Sequence, residues 1–481
     1  MSGSFVVHCD TTLLNEMATG KHIEDLPDEL LIKIFSYINM EDLAMSVQHV
    51  NAHWKHVSQD NSLWKDKVFS PDIDMNDDEI ARRLENMPAL KAFCPKRGLN
   101  INLIVNVLCQ SCKDIQYLQF TYQRLYSITL KEILETLPNI VNLNISLPQE
   151  THYQLEFGKL LGQCQSLTTL SLRCHFTDTV AEGSLMAIAD GCPSLQNLDL
   201  GSCVFPEREI RYLLRNRGHQ LLFLALKCFI SNSGHELLCK CTNLKYLDYY
   251  SCNVGLPRTY MDHLGRLSKL EQLTLSSFRE KQSKNIPNIF RNQSLSNLVK
   301  LSILYCDGFG AAELTGIFTN CLQIQFFHIR GYCDSDDGFM YIGNLKQLEL
   351  LDIAFSESLS DKSVEYICSG CESLKHLNIS FCSGLTDKSV AYISVGCPRL
   401  KYLAISHCLV MTDAMIQSVV ECKELTVLDM KWNYNILGSY FHLISSNLIN
   451  LKELHLHGCE KLNPKNVSKL QEEMRELKIN V

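Results

Sequence analysis

The chain has 481 residues, 46% hydrophobic and 20% charged, the balance of an ordinary folded protein. Its formal net charge of −8 argues against a nucleic-acid-binding surface, which needs a basic stripe. No stretch reaches the ~18 uninterrupted apolar residues of a membrane span, and Met1 to Cys9 lacks the basic and apolar regions of a signal peptide, so no membrane association is expected and the setting is cytoplasmic and/or nuclear.

Residues 1–21 carry no periodic pattern and read as a flexible leader. Residues 22–69 form a small helical module. Pro27 stands at a helix start, where its missing N–H costs nothing, and Asp28 and Glu29 follow where the helix dipole favours acids. Leu30, Leu31, Ile34, Phe35 and Ile38 recur at helical spacing. Asn39 can cap a second helix carrying Leu43, Ala44 and Val47, and Val50, Trp54, Val57, Leu63 and Trp64 make a third apolar set. So short a segment buries only a thin core. Its surplus of large apolar groups points to a surface meant for a partner.

Residues 70–89 read as a connector, solvated at Asp72, Asp74, Asp77, Asp78 and Glu79, with helical spacing returning from Ile80 to Leu90. From residue 90 to 481 the chain repeats. Leu400 to Cys408 has the pattern L-x-x-L-x-L-x-x-C, and near-copies run from Leu195 to Cys203, Leu244 to Cys252, Leu374 to Cys382 and Leu451 to Cys459. The first apolar position falls at Ile115, Ile140, Leu167, Leu195, Leu221, Leu244, Leu270, Leu298, Ile324, Leu348, Leu374, Leu400, Leu425 and Leu451. These are about fourteen repeats with a mean period of about 26 residues, inside the leucine-rich-repeat range. Leu90 to Phe93 fits a degenerate opening repeat, since terminal repeats are atypical.

Each apolar run predicts a short strand, and each interval an amphipathic helix opened by a cap: Ser360-Asp361, Thr386-Asp387 or Thr412-Asp413. The expected fold class is α/β: a small N-terminal helical module, then a curved solenoid with a parallel inner sheet and outer helices. Asn463-Pro464 opens a final helix, Val467 to Leu477, expected to cap the last repeat.

The 22 cysteines fall mostly into two repeat slots, three residues before a strand start or eight after it, which predicts reduced, buried thiols. Cys174, Cys228 and Cys333 sit one residue off the second slot. The C-x-x-C pairs Cys109–Cys112 and Cys368–Cys371 lack a second pair to complete a tetrahedral metal site. No metal, no cofactor and no catalytic residue is expected. The candidate working surface is the inner sheet face, where side chains flanking the buried leucines alternate outward. It carries Arg173, Lys227, Tyr246, Asp248, Tyr250, Phe326, His328, Arg330, Asp352, Tyr402, Asp429 and Lys431, with His376, Asn378, Glu453, His455 and His457 beside them. Aromatic and arginine side chains there are the types enriched at binding hot spots.

Leu26-Pro27-Asp28-Glu29-Leu30-Leu31, Ile34-Phe35, Leu43, Val50, Trp54 and Ser62-Leu63-Trp64 resemble an F-box in register over the whole motif, with Val50-Asn51-Ala52-His53-Trp54 a mild departure from the usual third-helix stretch. The repeats resemble the cysteine-containing leucine-rich repeats of the F-box and leucine-rich-repeat family. The resemblance implies that Leu26, Pro27, Leu30, Leu31, Ile34, Phe35, Val47 and Trp54 contact a Skp-type adaptor. It further implies a cullin-RING ligase core reached through that adaptor, with the repeats holding a target protein for ubiquitination. The chain would then be a non-catalytic substrate-recognition subunit; the alternative is a protein-binding scaffold, free or adaptor-bound, that acts without ubiquitination.

Overall fold

The structure is a computed structural model that describes residues 23, 26–148, 151–174, 180–228, 230–251, 264–276, 290, 295–305, 310–330 and 336–481. The leader at 1–21 and Cys252, Cys306 and Cys333 lie outside the described residues. The chain divides into two compact units, Met1–Pro148 and Gln149–Val481.

The first unit opens with four short helices: α1 (Asp28–Phe35), α2 (Met40–Met45), α3 (Ala52–Ser58) and α4 (Asn61–Trp64). Side-chain caps set the breaks between them. Asn39 accepts from the Asp42 N–H at 2.8 Å and Asn51 from the Trp54 N–H at 2.8 Å, each satisfying a donor that the helix leaves open. Leu31, Phe35, Leu43, Ala44, Val57, Leu63 and Trp64 make the core. The Trp64 indole N–H donates to the Ser58 carbonyl at 2.7 Å, and Phe35 meets Trp54 edge-on at 5.1 Å.

Four parallel strands follow in chain order: β1 (Val68–Phe69), β2 (Ala92–Phe93), β3 (Tyr117–Arg124) and β4 (Asn142–Ser146). Helices α5 (Asp77–Glu85), α6 (Ile101–Ser111) and α7 (Ser127–Thr136) fill the intervals. Of the acidic stretch expected to be solvated connector, Asp72 and Asp74 are exposed ahead of α5, while Asp77, Asp78 and Glu79 are its first turn, capped by Asn76. Its acids sit where the dipole favours them, and Ile80 and Leu84 are fully buried. The strand pattern also begins earlier than the leucine spacing indicates. Phe69, Phe93 and Phe120 meet across β1, β2 and β3 in tilted and edge-on contacts with centroids 5.9 Å apart at each step, so aromatic rings share the core of the opening strands with Leu118.

In the second unit, parallel strands pair in chain order from β5 (Thr169–Arg173) through β6 (Asn197–Leu200), β7 (Phe223–Cys228), β8 (Tyr246–Ser251), β9 (Gln272–Ser276), β10 (Lys300–Leu304), β11 (Phe326–Arg330), β12 (Leu350–Asp352), β13 (His376–Asn378), β14 (Tyr402–Ala404), β15 (Val427–Asp429) and β16 (Glu453–His455) to β17 (Lys478–Asn480). Register is in phase with the repeat: Leu351, Leu377, Leu403, Leu428 and Leu454 align, and all are fully buried. Between strands run helices that include α8 (Thr151–Leu161), α9 (Ser184–Gly191), α10 (Glu207–Arg217), α11 (Asn232–Leu238), α12 (Ala311–Asn320), α13 (Asp361–Cys368), α14 (Asp387–Gly396), α15 (Ile416–Val419), α16 (Phe441–Asn447) and α17 (Pro464–Glu473).

Ser360 and Thr386 cap α13 and α14 as expected, and Thr412 caps a 3-10 turn, Asp413–Met415, that leads into α15. The aspartate after each cap does more. Asp361 accepts from the Thr386 N–H at 2.9 Å and hydroxyl at 2.7 Å, and Asp387 does the same for Thr412 at 2.8 and 2.7 Å. Each repeat thereby anchors the helix start of the next. The slot cysteines also bridge repeats: Cys371 lies 3.5 Å from the Ile342 carbonyl and Cys408 3.5 Å from that of Ile379.

The end of the chain departs from expectation. Helix α17 stops at Glu473, and β17 follows just after Leu477, pairing Ile479 with Leu454. Leu477 follows Leu451 by about one repeat period and is buried. Among the described residues no helix is long and apolar enough to cross a membrane.

Candidate functional site

In the first unit, the eight residues singled out on sequence separate into two groups. Leu31, Phe35 and Val47 are 0%, 1% and 6% exposed and pack in the unit's own core. Leu31 and Phe35 are four residues apart and share the inward stripe of α1, while Val47 lies in the 3-10 turn Val47–His49. Pro27 is exposed, and Leu26, Leu30, Ile34 and Trp54 are half-buried. Leu30 and Ile34 repeat the same four-residue spacing one position earlier, rotated by about 100° onto the flank of the buried stripe. Tyr37, 80% exposed, extends this apolar surface and was not singled out, although it lies three residues beyond Ile34. At its edge His53 Nε2 meets Asp28 Oδ1 at 2.7 Å, joining α3 to α1.

In the second unit, register sorts the solvent-side residues of the sheet into rows. One row runs Phe223, Tyr246, Gln272, Lys300, Phe326, Leu350, His376, Tyr402 and Val427, aromatic or apolar at every place except Gln272 and Lys300. The Phe223 and Tyr246 rings are 6.2 Å apart, and His376 stacks on Tyr402 at 5.7 Å. The next row is mostly acidic or polar, with His328, Asp352, Asn378 and, past Ala404, Asp429, and the next carries the cations. Arg330 Nη2 lies 3.1 Å from Asp352, Lys431 Nζ 2.9 Å from Asp429, and Arg173 Nη2 3.6 Å from Asp199. Lys227 lies over the Tyr250 ring, 5.5 Å from its centroid.

Asp352 is buried, contrary to its expected place on the open surface. Burial pushes its carboxyl up, but His328, the Ala354 N–H at 3.2 Å and Arg330 outweigh that and hold it below the usual carboxylate range. Asp429 is balanced in the same way: burial raises it, while Ser406 at 2.7 Å and Lys431 pull it lower overall. These carboxylates orient the exposed cations above them. The remaining candidates present themselves to solvent in part or fully, with Arg173, Asp248, Tyr250, His376 and His457 exposed.

A further row escaped the sequence reading. Tyr305, Phe355, Phe381, His407 and Trp432 have φ of 55°, 64°, 60°, 55° and 59°, the left-handed region that side chains of this size rarely occupy. All five lie one residue before the second cysteine slot, and Gly458 holds the same place in the next repeat with φ 75°. Phe355 stacks on Phe381 at 4.3 Å and Phe381 tilts onto His407 at 4.9 Å. Trp432 lies over Gly458, where an added Cβ would come within 2.3 Å of the indole. Leu409 and Val410, 40% and 53% exposed, continue the apolar strip. The signal available in sequence was the recurrence of an aromatic residue immediately before the slot.

Most of the described free cysteines are buried core groups, Cys94 and Cys164 being half-buried. Burial pushes Cys112 and Cys371 up to about 12, far from a reactive thiolate. Cys174 and Cys203 instead form a disulfide, which corrects the reading of uniformly reduced thiols. Displaced by one residue from its slot, Cys174 faces the slot cysteine of the following repeat. Among the described residues no group of three or more His, Cys, Asp or Glu side chains is placed to hold a metal ion.

Residues 23–70 match the F-box-like family. F-box/LRR-repeat protein 5 of Bos taurus is 26% identical over 196 residues, covering 33% of this chain and 28% of that protein. The Mus musculus protein of the same name is 27% identical over 197 residues, again covering 33% and 28%. The match thus spans under a third of the length of either relative. Putative F-box/LRR-repeat protein 9 of Arabidopsis thaliana is 23% identical over 222 residues, 37% of this chain and 87% of that protein. Among solved structures, a chain of the Rad7 and Elc1 complex in yeast aligns over 98% of this chain and 96% of its own, with TM-score 0.48 and 14% identity. The chain therefore carries an F-box-like domain and is homologous to F-box/LRR-repeat proteins.

Proposed function

We propose that the chain is the substrate-recognition subunit of a ubiquitin ligase of the Skp–cullin–F-box type, in a cytoplasmic or nuclear setting. The F-box, taken as residues 22–69, would dock on a Skp-type adaptor and through it on a cullin-RING core. The repeats from residue 90 onward would hold the target protein. The observation that carries this reading is the presence in one chain of an F-box-like domain at residues 23–70 and a repeat unit with a large aromatic and cationic sheet face. On this reading the chain supplies no acid, base or nucleophile. Its contribution to rate is proximity, because holding a target lysine near the charged ubiquitin carrier turns an encounter between separate molecules into a local one.

Within the F-box, Pro27, Leu30, Ile34 and Tyr37 support adaptor docking, since their apolar surface is not consumed by the core. On the repeats, Tyr246, Tyr250, Phe326, Arg330, Tyr402 and Lys431 support target docking, together with the left-handed aromatic row. The test is affinity capture of the intact chain from cells beside an Ile34→Asp variant, with captured proteins identified by mass spectrometry. Adaptor and cullin present with the intact chain and lost from the variant is the expected result. Adaptor captured without cullin would favour a scaffold that acts without ubiquitination, and capture of neither would overturn the F-box role.

A further inference from the structure

Repeat register decides which side chains meet at the strand ends of the second unit. The slot cysteines Cys382, Cys408 and Cys459 place their sulfurs 3.7, 3.5 and 3.2 Å from the carbonyls of Ile353, Ile379 and Met430 in the preceding repeat. In each case the preceding repeat's residue just before its own slot is an aromatic: Phe355, Phe381 or Trp432. Cys203 repeats the geometry, with its sulfur 3.3 Å from the Leu172 carbonyl, but the matching residue of the preceding repeat is Cys174. Their Cα atoms are 5.2 Å apart and the two sulfurs are bonded, a separation in the ordinary disulfide range. Cys203 is 1% exposed while Cys174 is half-buried, so Cys174 is the member of the pair nearer solvent. The surroundings tie the two strands together: the Cys174 N–H donates to Ser202 Oγ at 3.2 Å, and that hydroxyl donates to the Leu172 carbonyl at 3.1 Å.

We propose that Cys174 and Cys203 are a reversible oxidation site that fastens the end of β5 to the end of β6 and so fixes Arg173 beside Asp199 on the exposed sheet face. In the reduced state both carry thiols, and Cys203 donates to the Leu172 carbonyl as its counterparts do in later repeats. The oxidant class is a hydroperoxide. The Cys174 thiolate attacks hydrogen peroxide to give a sulfenic acid and water, and the Cys203 sulfur then displaces the second oxygen as water while the S–S bond forms. Two thiols and one peroxide become one disulfide and two waters, and the two electrons come from the sulfurs. Two equivalents of a small thiol reverse the step and leave as their own disulfide. The later slot cysteines cannot follow this course, because the matching residue of the preceding repeat is Phe355, Phe381 or Trp432 and carries no thiol. Burial also pushes Cys382 up to about 12 and Cys408 up to about 11.

The test uses the full chain, reduced with dithiothreitol, exposed to hydrogen peroxide, alkylated and mapped by mass spectrometry. A peptide pair linked through Cys174 and Cys203 should appear with peroxide and vanish on renewed reduction, while Cys382 and Cys408 remain free thiols. Amide hydrogen exchange at residues 171–174 and 199–203 should slow by about tenfold in the oxidised state, because linked strand ends open less often. Cys203→Ser keeps a donor for the Leu172 carbonyl and should lose the peroxide response entirely; if that variant does not fold, Cys174→Ser serves the same purpose. Alkylation of both thiols after peroxide, linkage of either to another cysteine, or equal exchange in the two states would overturn the proposal, as would a persisting response in the serine variants.

Discussion

The Asp361 carboxylate crosses to the next repeat and takes both the backbone N–H and the hydroxyl of Thr386, at 2.9 and 2.7 Å. Ser389 donates to it as well. One residue thus serves the first turn of its own helix and the cap of the following one. Asp361→Asn keeps the shape and removes the charge, and charge-assisted bonds of this kind contribute about 1.5–3 kcal/mol. Burial pushes Asp361 up, yet the bonds from Ser389 and Thr386 outweigh it and hold the carboxyl below its usual range. A folded-state pKa lowered in this way adds stability above the unfolded value and loses it as pH falls through the folded one. In urea melts the variant should therefore be less stable at neutral pH, with the gap closing below about pH 4. A gap of the same size at pH 3 would contradict the ionised bridge.

Leu31 and Ile34 are three residues apart on α1 but do different work. Leu31 is fully buried and Ile34 is half-buried. An aspartate at Leu31 buries an unpaired charge, which costs several kcal/mol and should disorder the helical module. Aspartate at Ile34 keeps its charge near water and should leave that module folded while adaptor binding falls at least about tenfold. Circular dichroism melts and adaptor titration on both variants separate the cases. Two equally folded variants, or full adaptor binding by Ile34→Asp, would refute the assignment of faces.

How much of this was legible in the sequence follows from where the information is local. The buried ladder of Leu351, Leu377 and Leu403 is visible because alternation along a strand leaves only one face for leucine. The caps at Ser360, Thr386 and Thr412 are visible because a short side-chain oxygen beside a helix start has one obvious acceptor role. The division of Leu30-Leu31 and Ile34-Phe35 into inner and outer pairs is not visible, since adjacent apolar residues satisfy the helical period in either phase and packing alone chooses. Strand β17 was hidden because Leu477 and Ile479 follow a helical pattern without a break. The left-handed row was hidden for another reason. Sequence gives the sign of φ away at glycine, and here four neighbouring repeats place a ring where Gly458 shows that glycine fits.

That row yields a prediction at Phe381. A non-glycine residue in the left-handed region carries a cost of roughly 1–2 kcal/mol that glycine escapes, set against the backbone entropy of about 0.5–1 kcal/mol that glycine gives up. Phe381→Ala loses the stack on Phe355 and keeps the left-handed backbone cost, whereas Phe381→Gly loses the stack and exchanges that cost for the smaller entropy that glycine gives up. The glycine variant should be the more stable of the two by about 0.5–1 kcal/mol in chemical denaturation. Both should weaken target capture if the ring is a contact. An alanine variant more stable than the glycine one would mean that the backbone there is not left-handed in solution.

Gly458 tests the same slot from the other side. Its φ of 75° and the Trp432 ring lying where a Cβ would stand are two separate reasons for glycine. Gly458→Ala should cost about 2 kcal/mol or more, part from the backbone and part from displacing the indole. The two parts can be divided by repeating the substitution in a Trp432→Ala background, where only the backbone part remains. The cycle should show a coupling on the order of 1 kcal/mol, the size expected for residues in contact. Trp432 is 40% exposed, so the ring has somewhere to go. If it swings aside freely, Gly458→Ala will cost the same in both backgrounds, and the indole will have been resting on the glycine rather than held against it.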